Sequence, residues 1–239
     1  MHKYIRSLLS ICAVALTSTM GHAIEPVKVY TSVFPPIVTK DSVRPGYAYE
    51  LVEEVLTLAN IEYEIIQMPW ARAQALVKST PNTLIFPLTR TATREKNYSW
   101  GFELFKTQTY FVTLNGEKLT AKDAYKKKIG VQLKSSWDNW LTEKGYNTIS
   151  RMPQEGFGIV RMMQVGRLDT WYAEGSVAKD ILPKMGISSA TFSDPIQSFN
   201  TFIATNKNHP FTQMEKLKAA FKDIISSGDY KKIMSKYNM

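Results

Sequence analysis

Two arginines four residues apart carry the first chemical suggestion in this chain. Arg90 and Arg94 sit in TRTATREKNYSW, residues 89–100, which begins at Thr89 as the apolar run TLIFPL ends. A guanidinium beside a buried strand calls for a partner, and its planar fork matches a carboxylate or phosphate through two parallel hydrogen bonds. Other chemically able residues also follow apolar runs: Phe34 before Pro35 and Pro36, Trp70 and Arg72 after Met68-Pro69, Lys134, Ser135 and Ser136 after IGVQL, and Glu174 at the end of LDTWYA. Phe34 and Trp70 offer flat walls to an apolar side chain or a cation. Ser135 and Ser136 open a helix whose free N–H groups suit an anion. Glu174 supplies a negative charge for an ammonium. Arginine on one side and a carboxylate on the other suit a zwitterion.

Each of these residues also admits a plainer reading. Arg90 and Arg94 pair with Glu95 or Glu103 at the surface, where an ion pair contributes ~0–1 kcal/mol. Arg72 lies on a solvated helix face, Trp70 in the core or at a cleft rim, and Glu174 caps the helix that follows it. Asp169 sets a turn, and Met162 and Met163 are core.

Missing parts exclude most enzyme chemistry. Past residue 23 the chain has His209 alone as histidine and no cysteine. A Ser-His-Asp hydrolase, a multi-histidine metal site and a thiolate nucleophile therefore lack their residues. No phosphate-loop or dinucleotide glycine pattern appears. No metal and no cofactor are expected; carboxylate-only catalysis stays open.

The elements that must position these residues follow a strand-helix rhythm. VKVYTSV, EYEIIQM and TLIFPLT read as strands, separated by helices over AYELVEEVLTLAN, with Asn60 as its C-terminal cap, and ARAQALVKS. The rhythm repeats with strands IGVQL, NTISRM and LDTWYA and helices around Trp137–Lys144, GFGIVRMMQVG and GSVAKDILPKMG. TYFVTLN, from 109, and SFNTFIATN are extended, Thr120 with Asp123 caps a short helix, and two helices close the chain. This predicts two α/β units, about 24–110 and 114–197, joined by extended strands and separated by a cleft. In open α/β sheets ligands bind beyond the carboxyl ends of the strands, where the candidate residues lie.

The start of the chain predicts a secretory leader. Lys3 and Arg6 precede the apolar run LLSICAVAL, and Gly21-His22-Ala23 is a small-x-small cleavage pattern, with the cut after Ala23. The run is shorter than the ~20 residues a bilayer span needs. Ile11 is too large for Cys12 to be read as a lipid attachment site. Without Lys3 and Arg6, 28 basic face 21 acidic residues, a net +7 against +9 for the whole chain. With a leader, that balance suits a small anionic ligand rather than nucleic acid, and Lys126–Lys128 reads as a solvated helix end.

The ordered segments SVFPPI, GYAYELVEEV, MPWARA, TRTATRE with YSW, IGVQL with KSS, GRLDTWYAEG and GDYKKIMSKY together resemble the bacterial extracellular solute-binding proteins of family 3, the periplasmic receptors of polar amino acid ABC transporters. The resemblance covers essentially the whole chain after the leader. It implies a type II periplasmic binding fold: a leader over 1–23, one lobe from 24–110 and 203–239, a second from 114–197, and hinges near 110–113 and 199–202. Each lobe would be a mostly parallel sheet flanked by helices. By the same resemblance Arg94 clamps a ligand carboxylate with help from Thr89, Phe34 and Trp70 wall the site, Ser135 and Ser136 meet the carboxylate, and Glu174 binds the amino group. Arg72 and Arg90 are carried as further ligand-binding candidates.

Four departures from the family pattern favour a more acidic or otherwise altered ligand: Glu174 replaces a shorter aspartate, Thr31 stands where many members are acidic, Pro87-Leu88 replaces a smaller lead, and Arg90 adds a charge. The expected function is non-enzymatic capture of a polar amino acid or related small carboxylate, as a monomer, for uptake through ABC transporter membrane subunits. Two alternatives are a ligand-sensing receptor for a membrane signalling protein and a periplasmic lyase of the cyclohexadienyl-dehydratase kind using Glu174 as its acid–base group.

Overall fold

The computed structural model describes residues 25–153, 156–237 and 239. The expected leader, with Cys12 and the cleavage site at Ala23, lies outside them. Apolar periodicity builds the first elements. β1 (Val27–Thr31) is buried almost throughout, and α1 (Tyr47–Leu58) buries Tyr47, Ala48, Leu51, Val52, Val55 and Leu56, one stripe at helical spacing. The chain leaves α1 through Asn60 at φ 49°, a left-handed position that asparagine tolerates. β2 (Tyr63–Gln67), α2 (Trp70–Ser79) and β3 (Leu84–Thr89) complete the first unit.

β4 (Tyr98–Thr113) follows, then β5 (Ile129–Gln132), α3 (Ser136–Glu143), β6 (Ile149–Met152), α4 (Phe157–Gln164), β7 (Thr170–Glu174) and α5 (Gly175–Lys184). β8 (Thr191–Phe192) and β9 (Gln197–Asn206) precede the closing helices α6 (Met214–Ser227) and α7 (Asp229–Ser235). The strands form one sheet in the order β2-β1-β3-β9-β4-β7-β5-β6, with β8 against β4. β1 pairs in parallel with β2 and β3, and β5 with β6 and β7. The long β4 and β9 run antiparallel between these two parallel groups. The result is the two-lobed α/β architecture of type II periplasmic binding proteins.

β4 differs most from its sequence expectation. It begins at Tyr98, not Thr109, and register shifts between Trp100 and Glu103 and between Glu103 and Phe105 break the alternation a strand would show. Gly101 marks the first irregularity: a Cβ there would stand 2.7 Å from Met214 Sδ and 3.0 Å from the Ile203 carbonyl.

In the first unit β3 is buried at every residue. The closing helices sit on this unit: Phe102 stacks on Phe221 at 4.3 Å, Arg44 Nη2 donates to the Lys236 carbonyl at 2.8 Å, and Tyr237 Oη donates to Glu50. In the second unit Trp137 and Leu141 of α3 pack with Phe111, Tyr146 and Tyr172, while Ile159, Val177 and Ile181 of α4 and α5 join the larger core. Between the units Lys106–Gln108 of β4 pair with Ser198–Asn200 of β9 and with no other strand. Among the described residues no helix is long and apolar enough to cross a membrane.

Candidate functional site

The ends of the first three strands and of β5 converge on one cavity over β4 and β9. From the first unit come Phe34 and Ile37 after β1, Trp70 at the start of α2, Pro87 and Thr89 of β3, and Arg94. From the second come Gln132 at the end of β5 and Ser135, Ser136 and Trp137 opening α3. Phe105 and Thr107 of β4 and Thr201 of β9 form the base. Phe34 meets Trp70 edge to face at 5.8 Å, a stable aromatic corner. The enclosed space is about 20 Å³, roughly the room one water needs. A ligand of several heavy atoms enters only when the two units part.

Arg94 is the one charged residue of this lining. A short 3-10 turn, Ala92–Arg94, swings its side chain inward, and it is 4 % exposed. Nη1 donates to the Thr89 carbonyl at 2.8 Å; Nη2 donates to Gln74 Oε1 and to the Lys134 carbonyl, each at 3.3 Å. Lys134 belongs to the second unit, and Gln74 Nε2 donates to the same carbonyl at 3.2 Å. These contacts hold the two units together at the cavity. Lys134 adopts φ 57°, left-handed and uncommon outside glycine, and its N–H is fixed by Asp138 Oδ2 at 2.9 Å. Asp138 is itself paired with Arg151 at 2.8 Å. No described carboxylate lies within ion-pair distance of Arg94. Burial pulls its guanidinium well below the usual arginine range, to about 10.

Around Arg94 the cavity collects polar atoms with no partner. Ser135 Oγ is engaged as the cap of α3, accepting from Asp138 N at 3.0 Å and donating to the Gln132 carbonyl at 2.8 Å. Thr107 Oγ1, Gln132 Nε2, Ser136 Oγ, Trp137 Nε1 and Thr201 Oγ1 are all buried and have no hydrogen-bond partner in the protein. All five residues line this cavity, and only two such atoms, on Thr31 and Trp171, occur elsewhere among the described residues. Buried polar groups are otherwise almost always satisfied, so the cluster marks a place shaped for something beyond the chain.

The remaining sequence candidates stand apart. Glu174 ends β7, is 3 % exposed and caps α5, with Oε2 accepting from Val177 N at 2.9 Å and from Ser176 Oγ at 2.5 Å. It lines a different opening of about 590 Å³ with Arg44, Lys106 and Lys179. Burial raises its pKa, while the Ser176 and Val177 bonds oppose the rise. There Tyr47 Oη approaches Ser176 Oγ at 3.3 Å, a second bridge between the units. Burial, then the Glu174 charge, pushes the Tyr47 hydroxyl well above its usual value. Arg90 is exposed, pairs with Glu95 at 2.7 Å and lies 5.3 Å from the Trp100 ring centre. Arg72 is exposed on α2 and outside the cavity lining. Sequence reasoning missed Gln74, Thr107, Gln132 and Thr201; the strand-end rule reaches Gln132, but nothing local marks the two threonines.

Residues 27–239 match the family model of the bacterial extracellular solute-binding proteins, family 3. Among solved structures, the GluR0 ligand-binding core from Nostoc punctiforme in complex with L-glutamate is 18% identical, with a TM-score of 0.79 over 89% of this chain and 99% of that one. The arginine-, lysine-, histidine-binding protein ArtJ from Geobacillus stearothermophilus is 20% identical, with a TM-score of 0.80 over 90% of this chain and 95% of that one. A histidine kinase sensor domain with similarity to periplasmic binding proteins is 14% identical, with a TM-score of 0.81 over 90% and 96% of the two chains. At these identities the likeness is one of fold. No match is found among curated protein sequences.

Proposed function

Because the chain belongs to the bacterial extracellular solute-binding proteins, family 3, we propose that it is a monomeric periplasmic receptor that captures a polar amino acid or related small carboxylate between its two lobes. The closed form would be read by the membrane subunits of an ABC transporter. One observation carries this reading: the fully buried Arg94 guanidinium, without a described carboxylate partner, faces a cavity where five buried polar atoms lack partners. An unpaired buried cation is costly, and an incoming carboxylate relieves that cost through a two-bond fork. Phe34 and Trp70 wall the ligand, while Thr89, Ser135 and Ser136 help frame its acid group.

The lobes part by bending where β4 and β9 pair with each other alone, at 106–108 and 198–200. The first stretch lies just before the expected hinge 110–113 and the second overlaps the expected 199–202. Among the described residues no aspartate or glutamate lines the Arg94 cavity, which favours binding over acid–base catalysis there. The likeness to a sensor domain supports a second reading, in which the same capture informs a signalling protein instead of a transporter. Native mass spectrometry of protein released from the periplasm tests the shared step. A co-purified small acid is expected, and it should be absent from the Arg94→Met variant. Retention of the same mass by the variant would remove Arg94 from the site.

A further inference from the structure

We infer that the ligand of the Arg94 cavity is a monoanion without an ammonium group: a carboxylate bearing a further oxygen acceptor, of the 2-oxo acid type, in place of a zwitterionic amino acid. This rests on carboxylate capture at Arg94 and adds the class of carboxylate.

Charge balance is the first ground. Among the described residues the lining holds one cation, Arg94, and no aspartate or glutamate. A monoanion neutralises it. A zwitterion brings an ammonium that meets no described carboxylate and lies beside a like-charged guanidinium, among Phe34, Trp70, Phe105 and Trp137. A buried charge is tolerated when paired and is strongly unfavourable when not. An aromatic face attracts a cation, but the Arg94 guanidinium in the same lining repels it.

The second ground is the direction of the hydrogen bonds on offer. Trp137 Nε1 is a donor and nothing else. Gln132 Nε2 is likewise a donor alone, while the Ser136, Thr107 and Thr201 hydroxyls can each give a proton or accept one. Trp137 and Ser136 also stand in the first turn of α3, the positive end of that helix. An ammonium brings three more donors to this set. A 2-oxo group brings only lone pairs and is satisfied by the donors already present.

The third ground is where the nearest alternative carboxylate is. Glu174, which the family resemblance assigns to a ligand amino group, instead receives the Val177 N–H and the Ser176 hydroxyl at the head of α5. It opens onto the separate space shared with Arg44, Lys106 and Lys179. The lobe that should present a carboxylate to the ligand presents Gln132, Ser136 and Trp137.

Calorimetric titration of the secreted protein with matched acids decides the matter. The pairs are pyruvate with alanine, 4-methyl-2-oxopentanoate with leucine, and phenylpyruvate with phenylalanine. The 2-oxo member of at least one pair should bind about tenfold tighter than its amino partner, a difference of about 1.4 kcal/mol. That binding should weaken by about 30-fold or more in Arg94→Met and in Arg94→Gln. An amino acid that binds tighter than its 2-oxo partner overturns this inference and leaves carboxylate capture standing. Absence of binding by every 2-oxo acid of the series also overturns it. Binding that persists unchanged in a folded Arg94 variant overturns the capture reading itself.

Discussion

Replacing Arg94 by methionine should move ligand affinity and protein stability in opposite directions. The guanidinium is 4 % exposed and touches only neutral oxygens, on Thr89, Gln74 and Lys134. Its fall on burial to about 10 corresponds to roughly 3 kcal/mol of unrelieved desolvation, at 1.36 kcal/mol per tenfold. Methionine removes that burden, keeps much of the volume, and leaves the Thr89 carbonyl without its 2.8 Å donor, a loss of about 1–2 kcal/mol. The ligand-stripped variant should therefore be as stable as the parent or more stable by about 1 kcal/mol. For a chain of this size that is a rise of about 2–4 °C in Tm.

Binding should go the other way. Truncating one partner of a buried, hydrogen-bonded charge pair costs about 2–5 kcal/mol, roughly 30-fold to several thousand-fold in Kd. The lower half of that range is expected, since a ligand carboxylate displaces contacts that Nη2 already makes. Calorimetry gives the affinity and a thermal melt of dialysed protein gives the stability. Parallel loss of both would show that Arg94 is a structural arginine, and unchanged affinity would show that the ligand lies elsewhere.

Two further outcomes test the second bridge. Tyr47→Phe removes the 3.3 Å contact to Ser176 that ties α1 to α5. One hydrogen bond contributes about 1 kcal/mol net, so stopped-flow dissociation of ligand should quicken about fivefold; an unaltered rate would show that this contact does not hold the lobes closed. Glu174 has its pKa raised by burial above the ordinary 4.5. A raised carboxyl adds stability in full below that ordinary value and loses it as pH climbs through the folded one. Melts from about pH 4 to about pH 7 should therefore show the parent losing stability relative to Glu174→Gln as pH rises. A flat or inverted difference would refute the burial account.

Much of this arrangement was written in local patterns. The stripe in α1 and the apolar run of β3 announced a buried α/β unit. The strand-end rule led to Phe34, Trp70, Thr89, Arg94, Ser135 and Ser136, which line one cavity. Spacing alone did not separate Arg94 from Arg90. The 3-10 turn buries the first, while the second lies against Trp100 and pairs with Glu95. The early part of β4 was hidden because bulges around Glu103 spoil its period. Thr107 and Thr201 carry no local signal, because their place depends on two crossing strands meeting far apart in sequence. Glu174, placed by its motif among the ligand-binding candidates, also accepts from Val177 N–H at the head of its own helix, a use that the motif does not announce.

The left-handed turn at Lys134 gives the receptor a rival for its own ligand. Its carbonyl holds Nη2 of Arg94 and the amide of Gln74 from the opposite lobe. A carboxylate that takes Nη2 displaces one of the two acceptors it already serves, the Lys134 carbonyl or Gln74 Oε1, and neither can diffuse away. Capture is thus an exchange, neutral hydrogen bonds for charge-assisted ones about twice as strong, and its net gain is only the difference. The evicted oxygen stays within reach and is ready to return as the carboxylate loosens. The same residue that joins the two units thus competes with any carboxylate for the guanidinium, and so limits how tightly one is held.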